Sequence, residues 1–279
     1  MICMEIRKEH IRTVLAALLA VIITYSIYKI GGALVRGRFA NYFIECIVTE
    51  LFYVIPTMIA VILLKKQSIY YSDPSILKKN WTCALLMIGI ILINFFLTAG
   101  FFSVLAAEGN LRITEVLLTL VFCMMIGYAE EVNFRGLLQN AFHDLFTEKN
   151  PRSVLAAIIC SSFLFGFMHI FNAFRPDVIF SAALRQAITA MVVGMYLSAI
   201  YYRTGKNLWF SIILHGFNDF VVMRDIYTGG SVSDTINAGS LNLASALIGI
   251  AVFVGMTLIL LRPKKLAPLL DHSDDNSRI

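Results

Sequence analysis

Eight long apolar runs organise the sequence, near Thr13–Val35, Tyr42–Leu64, Trp81–Ala107, Ile113–Phe142, Ser153–Phe171, Ala182–Tyr202, Leu208–Met223 and Leu241–Leu261. Such runs suit crossing about 30 Å of hydrocarbon. Lipid offers the backbone no hydrogen-bond partners, so each run is read as a helix that satisfies itself. The expected fold is all-α, a polytopic membrane bundle of about eight helices forming one integral domain over residues 1–279. Of the 279 residues 58% are hydrophobic and only 15% charged, against roughly 45–50% and about 25% in soluble domains. The charged stretch from Met1 to Arg12 precedes an apolar run without a small-residue cleavage site, which reads as a retained first span rather than a signal peptide.

The connections carry breakers and cations: Lys65-Lys66 through Asp73-Pro74 to Lys78-Lys79, Asn150-Pro151-Arg152, Arg203-Thr204-Gly205-Lys206 and Gly229-Gly230-Ser231. With eight spans the termini share a side, and loops on that side hold about twice the Lys and Arg of the other. This bias places both termini in the cytoplasm of a multi-pass cell-membrane protein, with 262–279 as a polar cytoplasmic tail. The net charge of +5 fits basic loops beside anionic lipid, and nothing resembles a nucleic-acid module. Cys46, Cys83, Cys123 and Cys160 lie in apolar segments, without a C-x-x-C pair, and are read as small core residues.

Ionisable groups at membrane depth cost several kcal/mol, so they usually face the bundle interior and mark a working site. The candidates are Glu45 and Glu50 in the second run, Glu130, Glu131 and Arg135 in the fourth, His169 in the fifth, and His215 and Asp219 in the seventh. Glu131 and Arg135 are four residues apart with the acid first, the favoured order for an ion pair on one helix face. Glu130 projects about 100° away and is left as the free carboxylate, suited by apolar surroundings to act as a base on water. The competing reading of Glu130-Glu131 as a solvated helix end is weakened by the apolar pattern that continues at Gly136-Leu137-Leu138.

His169 alone would read as a hydrogen-bonded core histidine. His215, one turn before Asp219, changes that reading, because two histidines and two carboxylates on different apolar helices have few innocent explanations. No G-x-S-x-G and no H-E-x-x-H is present, although Glu130, His169 and His215 could in principle hold a metal from three helices. A carboxylate base with a water nucleophile needs only a partner to orient that water and donors for the developing oxyanion.

These residues resemble the Abi/CPBP family of intramembrane proteases, which includes the CAAX prenyl endopeptidases. Its Glu-Glu-x-x-x-Arg is matched by Glu130 to Arg135, its Phe-x-x-x-His by Phe165 to His169, and its His-x-x-x-Asn/Asp by His215 to Asp219. The three stand in order within a catalytic core of about residues 113–223. The resemblance implies a glutamic endopeptidase that needs no metal or other cofactor. Glu130 would be the base, His169 its partner on the water, and His215 with Asp219 the oxyanion-stabilising pair, supported by Glu131, Arg135 and Phe165. CAAX-processing members carry an amide at the last position; here the amide, Asn218, comes one residue early. The favoured arrangement has Asp219 pairing with His215 and holding it as a cationic donor. Implied partners are the bilayer and a peptide or membrane-protein substrate, and the short connections suggest a bacterial cell offering pheromones, bacteriocin precursors or membrane-protein tails. Alternatives are a non-proteolytic bacteriocin-immunity or scaffold protein, a metalloprotease, and a proton-coupled transporter using Glu45, Glu50, Glu130 and the histidines as a relay.

Overall fold

The computed structural model describes residues 2–109, 112–146, 150–175, 177–223, 226, 230–238 and 243–266; most of the polar tail therefore lies outside the described residues. The described residues form helices α1 (Ile2–Val35), α2 (Tyr42–Leu63), α3 (Pro74–Asn80), α4 (Leu85–Ala107), α5 (Ile113–Glu131), α6 (Asn140–Leu145), α7 (Pro151–Ile170), α8 (Phe180–Arg203), α9 (Leu208–Val222), α10 (Val232–Ala238) and α11 (Leu243–Leu260), with no strand among them. Among the described residues six stretches are long and apolar enough to cross a membrane, and two shorter apolar helices, within α9 and α11, accompany them. The protein is an all-α, multi-pass membrane bundle. The eight apolar runs reappear as these six spans and two shorter helices, and α9, at 15 residues, is only roughly 22 Å long.

The predicted breakers become helix starts. Asn150 accepts from the backbone N–H groups of Arg152 and Ser153, and Ser153 completes a capping box with Pro151 at the first turn. Asp73 caps α3 ahead of Pro74, and Asn41 and Asn207 cap α2 and α9. Glu45 finds a structural use, accepting from the Gly37 N–H at 2.7 Å and so tying the α1–α2 connection.

Packing follows small residues and buried polar groups, as expected where lipid provides no hydrophobic drive between helices. α7 lies against α8, α5 against α9, and α1 and α2 against each other and the α5–α6 unit. Thr57, Asn133 and Thr24 link α2, the α5–α6 unit and α1, with Asn133 Nδ2 donating to Thr57 Oγ1 at 2.8 Å and Thr24 Oγ1 donating to Asn133 Oδ1 at 3.4 Å. Ser162 meets Ser198 across α7 and α8. Large apolar side chains such as Leu19, Ile22, Leu63, Phe96 and Phe163 are exposed, an outward face that would be anomalous in water and suits lipid.

Between α5 and α6 the helix loosens into a π-helical stretch, Val132–Gln139, all eight residues of it buried. Wide turns of this kind concentrate at functional sites. Asn133 and Asn140 each donate a side-chain N–H to the carbonyl four residues back, Ala129 and Gly136, at 2.9 Å. These bonds satisfy carbonyls that an ordinary α-helical ladder would have taken.

Candidate active site

Gly127 and Gly216 set the position of the site. A Cβ on Gly127 would lie 2.9 Å from the Gly216 nitrogen and the Ile212 carbonyl oxygen, so the backbones of α5 and α9 touch there. One turn beyond, this contact brings Glu130 and Glu131 beside His215.

Glu131 and Arg135 form the ion pair expected from their spacing, at 3.0 Å, with both side chains fully buried. Arg135 also donates to the Gly194 carbonyl at 3.1 Å and lies 4.6 Å over the Phe165 ring. A Cβ at Gly194 would sit 2.8 Å from that ring and 3.2 Å from the guanidinium, so α8 presents glycine where the arginine needs room.

His215 is the hub. Its Nδ1 lies 2.8 Å from Glu131 Oε1, and since an ionised carboxylate only accepts, Nδ1 carries the proton. Its Nε2 lies 3.5 Å from Glu130 and 3.6 Å from Asp219, longer than a good hydrogen bond to either. The nitrogen is thus flanked by two carboxylates and committed to neither. The ring is oriented on Nδ1 by Glu131, across helices, and Asp219 approaches the opposite nitrogen. Asn218 donates to Asp219 Oδ1 at 3.5 Å.

His169 stands on the far side of Phe165. Its ring centroid is 4.9 Å from that of Phe165, which also meets His215 at 5.9 Å, both edge-on. His169 Nδ1 meets the Phe165 carbonyl at 2.9 Å. A carbonyl only accepts, so this nitrogen holds the proton, which makes Nε2 an acceptor whenever the ring is neutral. Gly166 lets α7 approach α8 here, since a Cβ would fall 2.6 Å from the Ala187 oxygen.

Five residues outside the motifs surround the carboxylates. Glu50 of α2 is buried. Tyr25, Tyr28 and Tyr53 form an aromatic wall, with Tyr28 and Tyr53 stacked at 5.2 Å. Lys29 lies 5.0 Å over Tyr25 and donates to Asn172 at 3.2 Å, and Tyr25 donates to the Met168 carbonyl beside His169. The spacing Tyr25-x-x-Tyr28-Lys29 on one helical face was the available signal for them.

The arrangement offers a carboxylate at 19% side-chain exposure, Glu130, an imidazole acceptor, an imidazole donor fixed from behind, and a mostly apolar enclosure. Such a set can take a proton from water and stabilise an oxyanion. Among the described residues no group of three His, Cys, Asp and Glu side chains is arranged to hold a metal ion.

Residues 112–221 match the model of the family described as Type II CAAX prenyl endopeptidase Rce1-like. Comparison with curated proteins gave no match. Comparison with solved structures gave none either. The matched segment contains the three motifs, the π-helical stretch and the helix contacts that join them, and over residues 112–221 the chain is similar to the Type II CAAX prenyl endopeptidase Rce1-like family.

Proposed function

We propose that the protein is an intramembrane endopeptidase that cuts a peptide bond of a membrane-associated or peptide substrate with a water activated by Glu130. The family match supports a membrane hydrolase of CAAX-protease type. The finer reading rests on one observation: His215 is fixed on Nδ1 by Glu131 and turns Nε2 toward Glu130 and Asp219.

In this mechanism a water sits between Glu130 and Nε2 of His169. Glu130 takes its proton as the oxygen attacks the scissile carbonyl carbon, and the carbonyl oxygen becomes an oxyanion. His215 donates from Nε2 to that oxyanion, with Asp219 holding the ring's charge. Collapse of the tetrahedral intermediate breaks the C–N bond, and Glu130 returns the proton to the leaving amine. Arg135 and Glu131 keep the donor in place, and the apolar walls exclude bulk water.

The test compares membrane peptides from cells carrying the protein with those from cells carrying Glu130→Gln, followed by assays of the purified pair with a strong chelator present. The expected result is a peptide set that changes only with the unaltered protein, whose activity survives chelation. Identical peptide sets would return the protein to the immunity or scaffold reading, and chelator inhibition reversed by zinc would make it a metalloprotease.

A further inference from the structure

Three polar atoms behind the reacting groups have no hydrogen-bond partner among the described residues: Oε2 of Glu131, Nε of Arg135 and Oγ of Ser211. None of the three residues is more than 1% exposed. Buried polar atoms in folded proteins nearly always find a partner, in the protein or in an ordered water. Glu131 spends Oε1 on both of its neighbours, His215 Nδ1 and Arg135 Nη1, and Arg135 spends Nη2 on the Gly194 carbonyl.

The helix register brings the three atoms to one junction. α5 and its π-helical continuation run antiparallel to α9, with Gly127 against Ile212 and Gly216, and Gly136 against Leu208. His215, which meets Glu131, and Leu208 bracket Ser211, which stands about one turn from each on the same face. Ser211 is thereby set against the turn that holds Arg135. Its direction around α9 agrees, because it falls between His215 and Leu214. Leu214 packs with Tyr196 and Leu197 of α8. Ser211 thus faces the seam between α8 and the π-helical stretch, where the guanidinium reaches Gly194.

We propose that a buried water joins Arg135 Nε, Glu131 Oε2 and Ser211 Oγ, and that Ser211 is through it a positioning residue for His215. The junction calls for a ligand that donates and accepts at once: Nε only donates, an ionised carboxylate only accepts, and a hydroxyl does either. An anion would meet Glu131 and a cation would meet Arg135, which already neutralise each other across 3.0 Å, so a small neutral molecule fits. Water accepts from Nε, donates to Oε2 and bonds Oγ, which gives the about three bonds that a buried water typically makes. The bond to Oε2 fixes the plane of the carboxylate, and with it the oxygen on which His215 is oriented. The water needs no assumption about hydrolysis; the effect of Ser211 on the rate rests on the function proposed above for His215.

The test uses the purified full chain in bilayers, with nitrogen-15 in its arginine and histidine side chains. It reads magnetisation transfer from water to the Arg135 Nε–H group, the His215 Nδ1–H resonance, and hydrolysis. In the unaltered protein a water signal is expected at Nε–H, and Ser211→Val, which fills the space with apolar atoms, should remove it. Ser211→Ala takes away one partner and adds no bulk, so the inference stays testable if the valine variant misfolds. It should broaden or shift the His215 Nδ1–H resonance and lower kcat about tenfold, the size of one hydrogen bond, with KM unchanged. Thr257→Ala removes another fully buried hydroxyl, on α11, and should alter neither. A missing water signal in the unaltered protein overturns the buried water. A Ser211→Ala resonance and rate like those of the parent, or an equal change in Thr257→Ala, overturns the positioning role. Both resonances are read without turnover, so an inactive parent that shows them would count against hydrolysis alone.

Discussion

His215 has a carboxylate on each side of its ring, and the three carboxylates are not equivalent. Glu131 is fully buried between the imidazole and Arg135, so removing its charge leaves a buried guanidinium uncompensated, typically a loss of about 3–5 kcal/mol. Glu131→Gln is accordingly expected to lower the unfolding midpoint sharply, whereas Glu130→Gln should unfold like the parent and fail only in hydrolysis. A stable Glu131→Gln without activity, beside an active Glu130→Gln, would exchange the two assignments. At the opposite nitrogen, Asp219→Ala should reduce the rate by on the order of 10²–10³, as loss of one oxyanion-stabilising group commonly does. Asp219→Asn should keep part of the rate, and Asn218→Ala most of it. The reverse result for Asn218 would show that the neighbouring amide holds the position. The spacing of Glu131 and Arg135 was readable because it is local. That Glu131 also orients His215, where the sequence pointed to Asp219, was not, because the contact depends on how closely α5 and α9 pack. The wall of Tyr25, Tyr28 and Tyr53, and Glu50 behind it, come from helices that carry no motif.

Gly127 and Gly216 hold α5 and α9 at backbone contact, and on that separation the distance from Glu131 to His215 depends. Gly127→Ala puts a methyl group 2.9 Å from two backbone atoms that cannot turn aside, and overpacking of this kind costs about 1–3 kcal/mol. Gly89→Ala, with nothing within 4 Å of the new methyl, serves as its control and should be neutral or slightly stabilising. Equal unfolding midpoints for the two variants would show that the helix contact does not set the site. Element existence was legible in hydropathy, and starts such as Asn150-Pro151 in cap chemistry. The π-helical stretch was not, since Val132–Gln139 has the composition of an ordinary amphipathic turn. Only Asn133 and Asn140, two amides bonded to carbonyls at its edges, bear a trace of it.

The loops gather at two ends of the bundle. Arg203 meets Asn80 and the Lys265 carbonyl at one end, and Asn237 meets Asp177 and Ile179 at the other. The first end carries the greater share of cations, so labelling of single cysteines is expected to find Ser68 and Asn150 in the cytoplasm and Ser233 outside; the opposite pattern would invert the orientation. Among the described residues α9, one of the two apolar helices shorter than the six spans, carries His215 and Asp219. At roughly 22 Å it falls some 8 Å short of ordinary hydrocarbon thickness, so lipid around it must thin or its ends must be drawn inward. A dimple in the bilayer over the reacting groups would shorten the path by which water enters and peptide ends leave. Turnover should then respond to the acyl-chain length of the surrounding lipid, faster in thin vesicles and slower in thick ones, while a rate indifferent to thickness would mean that water reaches Glu130 by a route through the protein alone.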